Sequence, residues 1–121
     1  MRIFKNDWFY RFARRESISD SVLKEAIARA EKGVIDADLG GGVIKQRIAR
    51  PGQGKSGGYR SIIFFRRGER ALFVYGFAKS DWENVYPNEV AEFKKTAKGF
   101  FSLTDKQIKS LLDEEEFTEL L

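Results

Sequence analysis

The chain has 121 residues, 22 basic and 18 acidic, with neither His nor Cys and a net charge of +4; the length suits one domain over residues 1–121 with a single hydrophobic core. Without His or Cys there is no disulfide, no thiolate nucleophile, no imidazole acid or base and no ordinary zinc ligand set, so no metal or other cofactor is expected. No apolar run approaches the roughly 20 residues that span a bilayer, and the start MRIFKNDWFYRF has no apolar signal-type core, so no membrane partner and, by default, a cytoplasmic location are expected.

Residues 2–4 can open with a short strand. Residues 5–15 read as a helix capped by Asn6 or Asp7, with Trp8, Phe9 and Phe12 on one face and Arg11, Arg14 and Arg15 elsewhere. That pattern fits a core-facing amphipathic helix, with a partner-binding surface as the alternative. After a break at residues 17–19, Asp20 is the expected N-cap of a helix over residues 21–32. Val22, Leu23, Ala26, Ile27 and Ala30 share one of its faces, and Gly33 ends it. Residues 34–42 read as a connecting loop anchored by Ile35 and Leu39. Residues 43–49 alternate apolar and basic, as a strand does, and residues 50–58 read as a Gly- and Pro-bearing loop. Residues 59–66 and 71–77 form a hairpin through Arg67-Gly68-Glu69-Arg70. Residues 78–87 are irregular or form one short helical turn. Residues 88–101 form a helix with Val90, Phe93, Ala97 and Phe100 at helical spacing. Thr104 and Gln107 make a capping box, with Leu103 and Ile108 as its hydrophobic staple. The acidic residues 113–116 predict that this helix frays into a solvated tail. Helices, a small antiparallel sheet, then helices make the class α+β.

Charge is uneven along this frame. Residues 1–70 hold 16 basic and 8 acidic side chains, residues 71–121 hold 6 and 10. The concentration peaks over residues 43–70, where Lys45, Arg47, Arg50, Lys55, Arg60, Arg66, Arg67 and Arg70 meet one acid, Glu69. Such a surface suits a polyanion, RNA first. The stretch PGQGKSGG approaches a phosphate-binding P-loop. Ala49 stands where that motif needs its first Gly, and a strand follows where a helix is needed, so nucleotide hydrolysis is rejected.

Lys45 and Arg47 are two apart and share a strand face, and Arg60 joins them if residues 43–49 pair with residues 59–66. Three cations around one point neutralise a phosphate and stabilise the added charge of a pentacovalent transition state. The plainer alternative is a solvated basic sheet face. Tyr59 and Tyr86, with Tyr75, fall near this sheet. A tyrosine there can stack on a base or, with its pKa lowered, take a 2′-hydroxyl proton; equally it can be a core or edge aromatic. Lys79, beside Ser80 and Asp81, follows the third strand and is a further candidate. Asp36 and Asp38 are close in sequence, with nothing seen to converge on them.

The succession LGGGVIKQRIA, a Gly-rich turn, SGGYRSIIFF, RRGERALFVYGFAK and AKSDWENVY resembles the RelE family of bacterial type II toxin–antitoxin toxins, within the RelE/ParE superfamily, and its HigB-like branch in particular. The resemblance covers most of the chain, is strongest over residues 39–86 and weakest over the final twenty. It implies a small twisted antiparallel sheet with helices packed on one side and extra C-terminal helices. It also implies a ribosome-dependent mRNA endonuclease, or mRNA interferase, that inhibits translation. Such an enzyme works without metal, by 2′-oxygen attack on the adjacent phosphate, and is silenced by a cognate antitoxin of helix-turn-helix type. By the same resemblance Lys45 and Arg47 stabilise the phosphate and help activate the nucleophile, Arg60 clamps the phosphate, and Tyr86 stacks on a base or acts as base. Ser80 stands where the family has an arginine for leaving-group protonation, and Lys79 is the substitute. Arg50, Lys55, Arg66, Arg67 and Arg70 are left as an RNA-docking footprint. Two other readings stay open: a ParE-like inhibitor of DNA gyrase, against which the basic cluster argues, and a non-catalytic RNA- or ribosome-binding module.

Overall fold

The computed structural model describes residues 1–50, 54–78 and 87–121, without the side chains of residues 50, 54–57 and 87. Within them the order is β1 (Arg2–Asn6), α1 (Asp7–Arg15), α2 (Asp20–Glu31), β2 (Ala37–Gly40), β3 (Val43–Arg50), β4 (Gly54–Arg66), β5 (Arg70–Ala78), α3 (Pro87–Phe101), α4 (Asp105–Asp113) and β6 (Phe117–Leu120). The strands form one sheet in the order β2-β3-β4-β5-β1-β6. All pairs are antiparallel except β1 with β5. The α+β class follows.

Period-two alternation gives this sheet two apolar faces, and both are covered. On one face Phe9, Phe12, Leu23 and Ile27 of α1 and α2 pack with Ile44, Ile48, Ile63 and Phe73. On the other, Ala97, Phe100 and Ile108 of α3 and α4 pack with Phe4, Val43, Ile62, Phe64 and Leu72. The expectation of helices on one side is thereby corrected. The strands are apolar on both sides, so one layer of helices would leave the second row in water.

Local signals set the helix ends. The Asn6 side chain accepts from the Phe9 amide at 2.8 Å and starts α1. Its amide nitrogen also donates to the Val74 carbonyl at 3.2 Å, tying that helix start to β5. The cap of α2 is Ser19 rather than Asp20, with its hydroxyl accepting from the Val22 amide. Asp20 instead pairs its carboxylate with the buried Lys5 ammonium at 2.8 Å. The capping box of Thr104 and Gln107 opens α4 as expected, and Leu103 and Ile108 join the same apolar cluster.

Three strand assignments differ from the sequence reading. Residues 37–40 form a strand, not a loop, through pairing of Ala37 with Lys45 and Asp38 with Ile44. Gly42, at φ +81°, then lets the chain turn beneath Phe101, whose ring would collide with any Cβ there. The strand after the Gly-rich turn begins at Gly54 rather than Tyr59, because Gly54 pairs back to Arg50. Residues 117–120 are no frayed tail: they pair with β1, and Glu119 grips Arg2 through two 2.9 Å bonds. The Trp8 expectation also changes. Phe9 and Phe12 are buried, but Trp8 lies at the surface, stacked on Phe12.

Candidate active site

β3 and β4 carry the site because the alternation continues beyond the reach of α3. On the α1/α2 face the row Ile44, Gln46, Ile48, Tyr59, Ser61, Ile63 is buried. On the opposite face the row begins apolar with Val43, Ile62 and Phe64 under α3 and α4. Further along that face come Lys45, Arg47 and Arg60. The register sets Arg47 directly opposite Arg60, and Lys45 opposite Ile62. The structure thus brings these three sequence-predicted residues together.

Arg47 is held by its backbone as well as by pairing. β2 stops pairing with β3 at Lys45, so the next outward-facing amide and carbonyl need other partners. The Arg47 amide donates to the Asp36 carboxylate at 2.6 Å, and the Arg47 carbonyl accepts from Arg29 Nη2 at 2.6 Å. Since both groups point away from β4, Arg47 and Arg60 form a non-hydrogen-bonded pair, with α-carbons about 4.5 Å apart and side chains at their closest. Asp36 is fixed in turn by Gln46. The buried Gln46 amide accepts from the Asp36 N–H at 2.9 Å and donates to the Ala26 and Val34 carbonyls. Asp36 also lies 3.6 Å from Arg47 Nε and 3.7 Å from Arg29 Nη1.

The electrostatics are those of a crowded cationic site. Burial, then the neighbouring Arg60, lowers the Lys45 pKa, with Asp36 opposing. Burial, then Arg47, lowers that of Arg60, again with Asp36 opposing. Arg60 Nη1 is buried with no hydrogen-bond partner among the described residues. An unpaired buried donor on a cation is costly, and like charges set opposite on a sheet repel. An anionic oxygen placed between these side chains would relieve both.

The remaining sequence candidates are scattered. Tyr59 lies buried on the far face, and its hydroxyl donates to Glu16 at 2.7 Å, so its role is packing rather than base stacking. Arg66 stacks 4.3 Å above the Phe101 ring and lies 3.8 Å from Glu69. Arg70 Nη1 donates to the Phe100 and Leu103 carbonyls at 3.1 and 2.9 Å, closing the C-terminal end of α3. Arg67 is exposed in the turn between β4 and β5. At strand rise, Arg66 is roughly 20 Å from Arg60 along β4, so these three arginines belong to the opposite end of the sheet. Arg50 and Lys55 fall on β3 and β4, with their side chains outside the described atoms. Lys79 and Tyr86 lie outside the described residues.

Sequence reasoning missed Arg29, Asp36 and Gln46, which hold the cationic strand in place. The one available signal was an acid placed shortly before a basic strand. Among the described residues, no group of three or more acidic side chains is arranged to hold a metal. No helix among them is long and apolar enough to cross a membrane.

No curated protein matches the chain. The family model of the RelE toxin of the RelE/RelB toxin–antitoxin system matches residues 1–120. With that match and the six-stranded α+β architecture, the chain belongs to the RelE toxin family: it is a toxin of a toxin–antitoxin system, and its partner is a cognate antitoxin.

Proposed function

We propose that this toxin is an endoribonuclease that cuts mRNA on the ribosome and so inhibits translation, as in the HigB-like branch of its family. One observation carries the reading: the buried Arg60 nitrogen, without a partner among the described residues, beside Arg47 and Lys45. A structural arginine acquires acceptors, as Arg70 has done. Arg60 instead aims a donor where a phosphate oxygen can sit.

The step needs no bound metal. A ribose 2′-oxygen attacks the adjacent phosphorus while the bond from phosphorus to the 5′-oxygen breaks, leaving a 2′,3′-cyclic phosphate and a 5′-hydroxyl. Arg60 and Arg47 bind the non-bridging oxygens, whose charge grows in the transition state. Lys45 takes the 2′-hydroxyl proton, because burial and Arg60 raise its neutral fraction. Lys79 is assigned to deliver a proton to the leaving 5′-oxygen, Tyr86 to stack on a base, and Arg50 and Lys55 to dock RNA near the cut. Arg66 and Arg67 are assigned to a separate contact with ribosomal RNA. A helix-turn-helix antitoxin covers the basic face.

Primer extension on a translated mRNA tests this. The wild type is expected to create new 5′ ends at once on induction, and Arg60→Ala none, with the variant still folded. Toxicity retained in a folded Arg60→Ala protein, or DNA damage without mRNA cuts, sinks the reading.

A further inference from the structure

Beyond Phe73, β5 has no further strand partner on the β1 side among the described residues, and the Asn6 side-chain amide donates to the Val74 carbonyl there. The pairing of β5 with β1 ends at Lys5 opposite Phe73, and β1 turns away into α1 at Asn6. Two aromatic rings stand beside this open edge. Trp8 and Tyr75 are 41% and 42% exposed, with ring centroids 4.5 Å apart. Among the described residues the other exposed large apolar side chains are Met1, Val34 and Leu121, all aliphatic. A single exposed aromatic is ordinary; two in contact with each other are not.

The rings form one wall of a cleft of about 380 Å³, completed by Phe12, Arg15, Glu16 and Phe77 among others. Its floor depends on Gly76, where any Cβ would strike the Phe12 ring. Trp8 stacks on Phe12 nearly in parallel, 16° between planes, and the Arg15 guanidinium lies 5.7 Å over the Phe12 ring. Most of the cleft lies on the α1/α2 side of the sheet edge, with Phe12, Glu16 and Tyr59, and its Phe77 side reaches the cationic face. Phe77 is the β5 partner of Arg60, so a single strand width, about 4.8 Å, separates the phosphate clamp from the open edge.

We infer that Trp8 and Tyr75 form a subsite that stacks the base of a nucleotide flanking the scissile phosphate. This rests on the endoribonuclease reading above. Flat apolar faces take any nucleobase. Arg15 and the trio supply charge for the sugar-phosphate chain, and Glu16 offers an acceptor to base N–H groups. A strand held at Arg60 passes over the edge of β5 and lays its next base on Tyr75 and Trp8. These are positioning residues: they fix where the 2′-oxygen lies relative to phosphorus and take no part in bond making.

Ribosomes programmed with an mRNA, intact or carrying one abasic nucleotide at each position around the cut in turn, provide the test. Trp8→Leu/Tyr75→Leu is expected to lower kcat/KM by roughly five- to hundredfold, the range for loss of one base–aromatic stack. Trp8→Phe, which keeps an aromatic face, is expected to recover most of it. At one position the abasic mRNA should slow the wild type by the same factor and leave the double variant unchanged, which a merely structural role would not produce. Wild-type cleavage by the folded double variant overturns the subsite, as does an equal defect on intact and abasic mRNA at every position. So does normal cleavage with lost antitoxin neutralisation, which would mark the cleft as an antitoxin seat. Tyr75→Leu alone, at the strand edge, serves if the double variant does not fold. An absence of cutting by the wild type removes the parent reading together with the subsite.

Discussion

At the turn joining β4 and β5, Arg66 stacks on Phe101 and Arg70 satisfies two carbonyls. Toward the other end of β4, Arg60 faces Arg47 and keeps a buried nitrogen without a partner among the described residues. The residue type and the sheet face are shared, and Arg66 and Arg60 lie on the same strand, β4. What differs is the company. At the turn end α3 supplies ring faces and carbonyls, and the arginines become mortar. Beyond α3 the described part of the sheet sets Arg60 beside Arg47 and Lys45, with Asp36 opposing, so charge accumulates at the expense of stability. On the proposed function, activity belongs where the described structure leaves a cation unsatisfied.

The largest expected effect separates the two ends directly. Arg60→Met should lower cleavage by about 10²–10³-fold, the loss typical of one transition-state donor. It should also raise the melting temperature, since a buried, crowded cation is replaced by an apolar chain of similar length. Arg70→Met should do the reverse. Stability should fall by about 1–3 kcal/mol in urea unfolding as the Phe100 and Leu103 carbonyls lose their donor. Cleavage per folded molecule should hold. If Arg70→Met were inactive at unchanged stability, the division between the ends would fail.

A smaller effect lies at the anchor of the cationic end. Asp36→Asn keeps an oxygen for the Arg47 amide but removes the charge facing Arg29 and Arg47. Cleavage should fall roughly tenfold through misplacement of Arg47, measured as kcat/KM on programmed ribosomes. An unchanged rate would mean that pairing with β4 alone places Arg47.

The smallest effect is in pH. Lys45 has its pKa lowered on folding, so it is protonated below that value and neutral above it. Cleavage should rise with pH through the lowered pKa and then level, and Lys45→Arg, always charged, should flatten the rise. Stability should move the same way. Between the folded and unfolded pKa values the unfolded chain binds more protons, so stability increases with pH across that window. Lys45→Met should remove the increment.

Much of this was legible beforehand where the signal is local. Alternation in VIKQRIA and the Arg-Gly-Glu turn gave the central strands, and Thr104 with Gln107 marked the start of α4. Lys45, Arg47 and Arg60 met as soon as their strands paired. The misreadings share a different cause. ADLG and FTEL become strands only through β3 and β1, and four residues carry too little pattern to announce it. The stretch from Gly54 was hidden because Gly reads as turn. Arg70 looked like its neighbours because the carbonyls that claim it are 30 and 33 residues away. Asp36 seemed alone because its partners arrive from α2 and β3, which only the finished fold brings to one place.

The place of β1 has a temporal meaning. It sits between β5 and β6, and Arg2 clasps Glu119 across 117 positions of chain. Translation makes β1 before every other element here, yet neither of its edges can be filled until much later. A nascent chain halted before residues 117–120 holds a sheet with one seam open. Such distant closures are slow. The toxin's own topology therefore places the closing of its sheet at the end of synthesis.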